Sequence, residues 1–295
     1  MPGRDEMEGM IGLILATVLV AAPAEPQQAP PSPIAIVVPA EGVTQQLELK
    51  DGTRAIGRVE SIDGERFTFR TVAGVTMQVD RAMVQAIGPV TGHLVNGEFW
   101  PADPNPTRLF FAPTGRSLKK GEAYFGVYEI LLPFVQYGVT DRISIGGGTP
   151  LIFGSNDVPF WVTPKVQVYQ TTATEVSLGV LHFFNVGDYN LGIAYGVVTR
   201  GSIDSAITIG AGYAYERSGE DGDDGGSPLL MVGGEHRVSR RFKLVTENYV
   251  FNDGGLLSGG VRFLGERLSV DLGLVSPIGA GEFFAVPIIN FVWKF

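Results

Sequence analysis

The 295-residue chain contains no cysteine, which removes disulfide staples, thiol catalysis and thiolate metal sites together. Histidine is scarce, at three residues, and 22 Lys+Arg face 31 Asp+Glu for a formal net charge of -9. A basic nucleic-acid binder is thereby excluded, and no nucleic-acid partner is expected. The apolar stretch from Met10 to Ala22 falls short of the roughly 20 residues a helix needs to cross a bilayer. Glycine is abundant instead. Forty of them are interleaved with Val, Ile, Leu, Phe and Tyr in no three-residue period, so the chain is neither collagen-like nor disordered.

The Met10 to Ala22 stretch fits the apolar region of a secretory signal peptide, and Ala22-Pro23-Ala24 offers a small-x-small pattern for cleavage before Glu25. Residues 1–24 are therefore read as a signal peptide and 25–43 as a Pro-rich spacer. Residues 44–92 read as short strands with turns at Asp51-Gly52, Asp63-Gly64 and Ala73-Gly74, enough strands in few enough residues to require a small barrel. The Leu47-Glu48-Leu49-Lys50-Asp51-Gly52 opening resembles SH3-like and Sm-like small barrels. That resemblance implies a packing or adaptor module, placed in the periplasm if the chain is exported. Residues 93–120, with Pro101, Pro104, Pro106 and Pro113 breaking any ladder, read as a connector.

Residues 121–295 show no helical period. Leu268, Val270, Leu272 and Leu274 alternate with Ser269, Asp271 and Gly273, and Ile207, Ile209, Ala211, Tyr213 and Tyr215 with Thr208, Gly210, Gly212, Ala214 and Glu216. Leu191, Ile193, Tyr195 and Val197 alternate in the same way with Asn190, Gly192, Ala194 and Gly196. A soluble sandwich would set Lys, Glu and Thr on its polar face. Here that face is mostly small, as suits a barrel lumen, so each apolar face is expected to meet lipid. Twelve such segments can be counted, at 121–129, 133–139, 142–150, 158–170, 174–184, 188–199, 204–217, 227–238, 242–251, 256–264, 267–276 and 284–295. Short connectors alternate with longer Gly- and Asp-rich ones, which puts both termini on the short-turn, periplasmic side. The fold class is all-β: a twelve-stranded antiparallel transmembrane barrel preceded by the SH3-like or Sm-like unit.

Three of the short turns share a signature: Thr140-Asp141-Arg142, Ser239-Arg240-Arg241 and Gly265-Glu266-Arg267, each followed by an apolar residue. An arginine placed there reaches lipid phosphates as readily as it solvates a turn. The last strand sets Phe291, Trp293 and Phe295 on one face, a candidate aromatic girdle, and its terminal Phe resembles the insertion signal of bacterial outer-membrane β-barrel proteins. The resemblance covers Gly121 to Phe295. It implies an outer-membrane location, with outer-membrane lipid and the barrel-assembly machinery as partners and a periplasmic protein as a further one.

Parity turns Lys165, Gln167, Glu247, Arg262, Asp271, Asn290 and Lys294 into the lumen, where opposite charges either pair and partly close it or line an aqueous path. A narrow porin-like pore for small polar solutes or ions is the expected function. The alternative is a non-conducting structural barrel whose N-terminal module docks a periplasmic partner. No enzyme activity is expected, because His93, His182 and His236 fall in different parts of the fold and the outer-membrane phospholipase His-x-Ser pair fails at Phe184. No cofactor is expected. The carboxylates of Glu220 to Gly225 read as a solvated external loop, with divalent cations as its sharper ligand.

Overall fold

The computed structural model describes residues 35–151, 158–187, 189–218, 225–252, 254–279 and 284–295. The signal peptide and all but Gly225 of the acidic loop lie outside the described residues.

The chain begins with an antiparallel sheet of β1 (Gln45–Leu49), β2 (Arg54–Asp63), β3 (Arg66–Thr71), β4 (Thr76–Asp80) and β5 (Val84–Pro89), in the order β4-β3-β2-β1-β5. Alternate residues of each strand turn to one side, so Leu47, Val59, Phe67, Phe69, Val79 and Val84 form a buried core. Ile36 joins that core, so ordered packing begins inside what the sequence presents as spacer. A two-stranded hairpin follows, β6 (Gly92–Val95) and β7 (Glu98–Pro101), turning at Asn96-Gly97 with both φ angles positive, at 50° and 83°. That dipeptide is the strongest short hairpin signal there is.

The remaining strands are β8 (Ala123–Tyr128), β9 (Leu132–Gly138), β10 (Ile143–Gly148), β11 (Phe160–Val162), β12 (Lys165–Gln170), β13 (Thr174–Val186), β14 (Tyr189–Gly201), β15 (Ser205–Ser218), β16 (Gly225–Ser239), β17 (Phe242–Phe251), β18 (Gly254–Leu264), β19 (Leu268–Ile278) and β20 (Val286–Lys294). β11 and β12 both pair with β10 and β13, and they are two halves of one strand interrupted at Thr163-Pro164, where proline has no N–H to donate. β20 pairs with β8 through Trp293 and Phe125, so the twelve strand positions close into a barrel with no free edge.

The outer wall is apolar where the alternation on β15 and β19 places it. Ile207, Ile209, Leu272 and Leu274 are exposed, with similar residues on the neighbouring strands. On β14 the expected facing is reversed. Val197 is buried and Tyr195 and Ile193 point into the barrel, while Ala194 and Gly196 face outward and Gly192 lies under the Tyr215 ring. Alternation marks one face as apolar without saying which side it meets, and at this height the lumen itself is apolar.

Candidate functional site: the plugged lumen

The segment 102–119 does not bridge two domains through solvent. It enters the barrel at the short-turn rim, rises to mid-lumen, turns and descends to β8. Thr114 N donates to Thr107 O at 2.9 Å and Leu109 N to Ala112 O at 2.9 Å, a hairpin with its tip at residues 109–112. Asp103, Asn105, Thr107, Leu109, Phe110, Thr114, Arg116 and Leu118 are all buried. The prolines prevent a ladder with the wall, so wall side chains bond the hairpin backbone instead.

The strand register sets Arg237, Lys243, Arg262, Asp271 and Asn290 side by side across β16 to β20 on the lumen face. Lys243 and Arg262 are thus adjacent like charges with fully buried side chains, an arrangement that needs a counter-charge. The hairpin supplies one. Asp103 Oδ2 accepts from Lys243 Nζ at 2.7 Å and lies 3.3 Å from the Arg262 guanidinium. Arg262 also holds Asp271 at 2.6 and 3.0 Å and donates to the carbonyls of Asn105, Arg108 and Leu109.

The Glu247 carboxylate receives three backbone N–H groups of the tip, from Phe110, Phe111 and Ala112 at 2.9, 3.0 and 2.9 Å, and the Tyr249 hydroxyl at 2.7 Å. Asn290 donates to Phe110 O at 3.2 Å. On the opposite wall Lys165 Nζ donates to Arg116 O at 2.6 Å and Gln167 to Gly115 O at 2.9 Å. Arg116 is paired with Glu235 and Glu175. Lys294 lies nearer the rim and binds Glu122 at 2.8 Å. Of the residues that parity turns inward, six therefore engage the hairpin or a partner that does, and Lys294 stands apart. Glu247 and Arg262 do not pair with each other. Lys243, Glu235, Arg116 and Asp103 complete the cluster, and strand parity alone could have pointed to the two wall residues among them.

The lumen glycines make room for this insertion. A side chain at Gly233 would collide with Leu109, and one at Gly273 would press on Phe110. The fit is also tight at Gly115, where a Cβ would run into the backbone of Glu175 and Thr199, atoms that cannot swing aside. Gly115→Val is expected to weaken seating of the descending limb by about 1–3 kcal/mol. The barrel should still migrate as folded on a heat-modifiable gel while brief current steps appear in a planar bilayer; a silent bilayer would count against it.

Above the tip lies a cavity of about 100 Å³ lined by Phe111, Leu181, Ile193, Tyr195, Met231 and Tyr249, with Arg108 of the hairpin at its edge. Phe134, Trp161 and Phe183 extend the apolar lining nearby.

The three histidines are separated. His182 faces outward toward the long-loop end, bonded to the Tyr215 hydroxyl at 2.9 Å. His236 lies near the short-turn end beside Ser205, and His93 meets Asp204 at 2.6 Å where the N-terminal hairpin touches the rim.

A closed twelve-strand barrel with an apolar exterior and an interior part polar and part apolar, filled in its lower half by the chain itself, defines an outer-membrane β-barrel of porin-like fold. Among solved structures, the chain is similar to a KdgM porin at 5% identity, over 59% of this chain and 98% of that one, with a TM-score of 0.45. It is similar to a loop-deleted form of OmpT, an outer membrane protein of Vibrio cholerae, at 13% identity over 86% and 96% of the two chains with a TM-score of 0.38. The Ralstonia pickettii toluene transporter TbuX gives 10% identity over 86% and 89% with a TM-score of 0.32. No protein-family description matches the sequence, and no curated protein does.

Proposed function

We propose that the protein is a gated pore of the outer membrane, closed at rest by its own hairpin, with the N-terminal sheet on the periplasmic side. The observation that carries this reading is the hairpin's seat. It is held by hydrogen bonds and ion pairs from the wall and by the packing of Leu109, Phe110 and Ala112, with no covalent tie in a chain without cysteine. Buried amide atoms at the seat also lack protein partners among the described residues: both of Asn105, Gln167 Oε1 and Asn290 Oδ1. Each such atom costs about 1–3 kcal/mol when buried, so withdrawing the hairpin returns part of what it breaks.

A solute from outside meets the apolar chamber first, and the polar lower wall only once the hairpin moves. The class that fits is a small solute with an apolar body, since the Arg108 guanidinium at the chamber's edge is already bonded to Tyr124, Gln136 and the Phe111 carbonyl. This differs from the small polar solutes or ions that inward charges alone imply. Phe291 and Trp293 on β20 and Phe295 just after it are exposed, and in this reading they are the signal read by the assembly machinery and the girdle that seats the barrel.

A second reading is favoured by the module's grip on the rim, through His93 to Asp204 and Gln46 to Glu266 at 3.2 Å. There the barrel stays shut and the module docks a periplasmic partner. Planar-bilayer recording separates the two. The wild-type chain should be nearly silent, and a variant with residues 103–118 replaced by a flexible Gly-Ser linker should show unitary steps. A folded, linker-bearing barrel that stays silent would leave only the structural reading.

A further inference from the structure

The turns β16–β17 and β18–β19 are neighbours on the short-turn rim, and between them lies a groove of about 610 Å³ lined in part by Arg240, Arg241, Arg267, Phe242, Phe263 and Trp293. The three arginines come from two of the repeated turn signatures; the third signature, with Arg142, stands elsewhere on the rim. Among the described residues, none of these three guanidinium groups donates a hydrogen bond or forms an ion pair. The one acidic side chain lining the groove, Glu266, accepts from Gln46 of the N-terminal sheet at 3.2 Å. The floor faces away from the lumen: Phe242, Phe263 and Trp293 are all exposed, and the first two meet edge-on at a centroid distance of 5.2 Å.

We propose that this groove binds an anionic glycerophospholipid of the leaflet next to the N-terminal sheet, with its phosphate among Arg240, Arg241 and Arg267 and its acyl chains along Phe242, Phe263 and Trp293. Charge complementarity carries the headgroup half, since planar guanidinium groups bond phosphate oxygens in pairs. The apolar floor carries the choice of a membrane lipid over a free phosphate, because a soluble anion leaves the aromatic wall unused. The inference rests on the barrel lying in a membrane and is independent of whether the lumen conducts.

Trp293 lines the groove and reports on it. The full chain, with Trp100→Phe and Trp161→Phe, is reconstituted in phosphatidylcholine vesicles holding a minor fraction of acyl-brominated lipid. Brominated phosphatidylglycerol should quench Trp293 several-fold more than brominated phosphatidylcholine at the same mole fraction, and high salt should shrink the difference. Arg240→Gln, Arg241→Gln and Arg267→Gln should each lower the preference, and the triple variant should bring the two lipids to equal quenching. Should the double-Phe background fail to fold, the difference between the wild-type chain and Trp293→Phe gives the same reading. Equal quenching by the two lipids overturns the proposal, and so does a preference that survives in the triple arginine variant.

Discussion

Arg262→Met is expected to destabilise the folded barrel by about 3–5 kcal/mol, among the largest losses for any single lumen substitution. The guanidinium is fully buried and binds two carboxylates and three hairpin carbonyls. Methionine fills much of the volume but leaves the Asp271 carboxylate without its guanidinium partner and Asp103 with Lys243 alone. Uncompensated buried charge, more than the lost bonds, sets the size of the effect. Arg262→Met combined with Asp271→Leu should therefore recover a substantial part of the loss, although it deletes more polar contacts. Urea unfolding followed by heat-modifiable gel mobility measures both. A single variant within about 1 kcal/mol of wild type, or a double variant worse than the single, would contradict this account.

The same cluster shows where sequence reading reaches its limit. The twelve strand positions follow from alternation, because a membrane barrel must present one apolar and one non-apolar face on every strand. The break at Pro164 is missed only in that it splits one segment into two pieces. β14 inverts because alternation is blind to direction: Tyr195 and Val197 pack on the hairpin as well as any lipid-facing pair would pack on acyl chains. The hairpin reads as a connector since its prolines deny it a strand ladder, yet the sequence carries two signals of its burial. Asp103, Asn105, Thr107 and Leu109, at every second position of the rising limb, are buried against the wall, as are Phe110, Ala112, Thr114, Arg116 and Leu118 on the descending one. The second signal is the wall itself, where paired Lys243 and Arg262 demand an anion that their own strands do not fully provide. The lumen glycines, legible as unfilled room, are the mould of the inserted segment.

Glu247→Gln is expected to loosen the hairpin tip without unfolding the barrel, because Glu247 meets the hairpin through hydrogen bonds from its tip. One carboxylate oxygen accepts three successive backbone N–H groups, an anion nest that a neutral amide oxygen fills weakly. Charge-assisted hydrogen bonds contribute about 1.5–3 kcal/mol each against about 1 for neutral ones. Losing the charge on three at once should lower the free energy of local tip opening by about 2–4 kcal/mol. Amide exchange at Phe110, Phe111 and Ala112 should accelerate by about 30- to 1000-fold in the variant, while the amides of β17 to β19 keep wild-type protection. The contrast between the two variants is the physical point: Arg262 ties wall to wall as well as wall to hairpin, whereas Glu247 ties chiefly the tip. If tip exchange is unchanged in Glu247→Gln, the tip is held by its Arg262 and Asn290 contacts and its apolar packing instead. Any opening must then begin at Asp103 and Arg116 instead of at the tip.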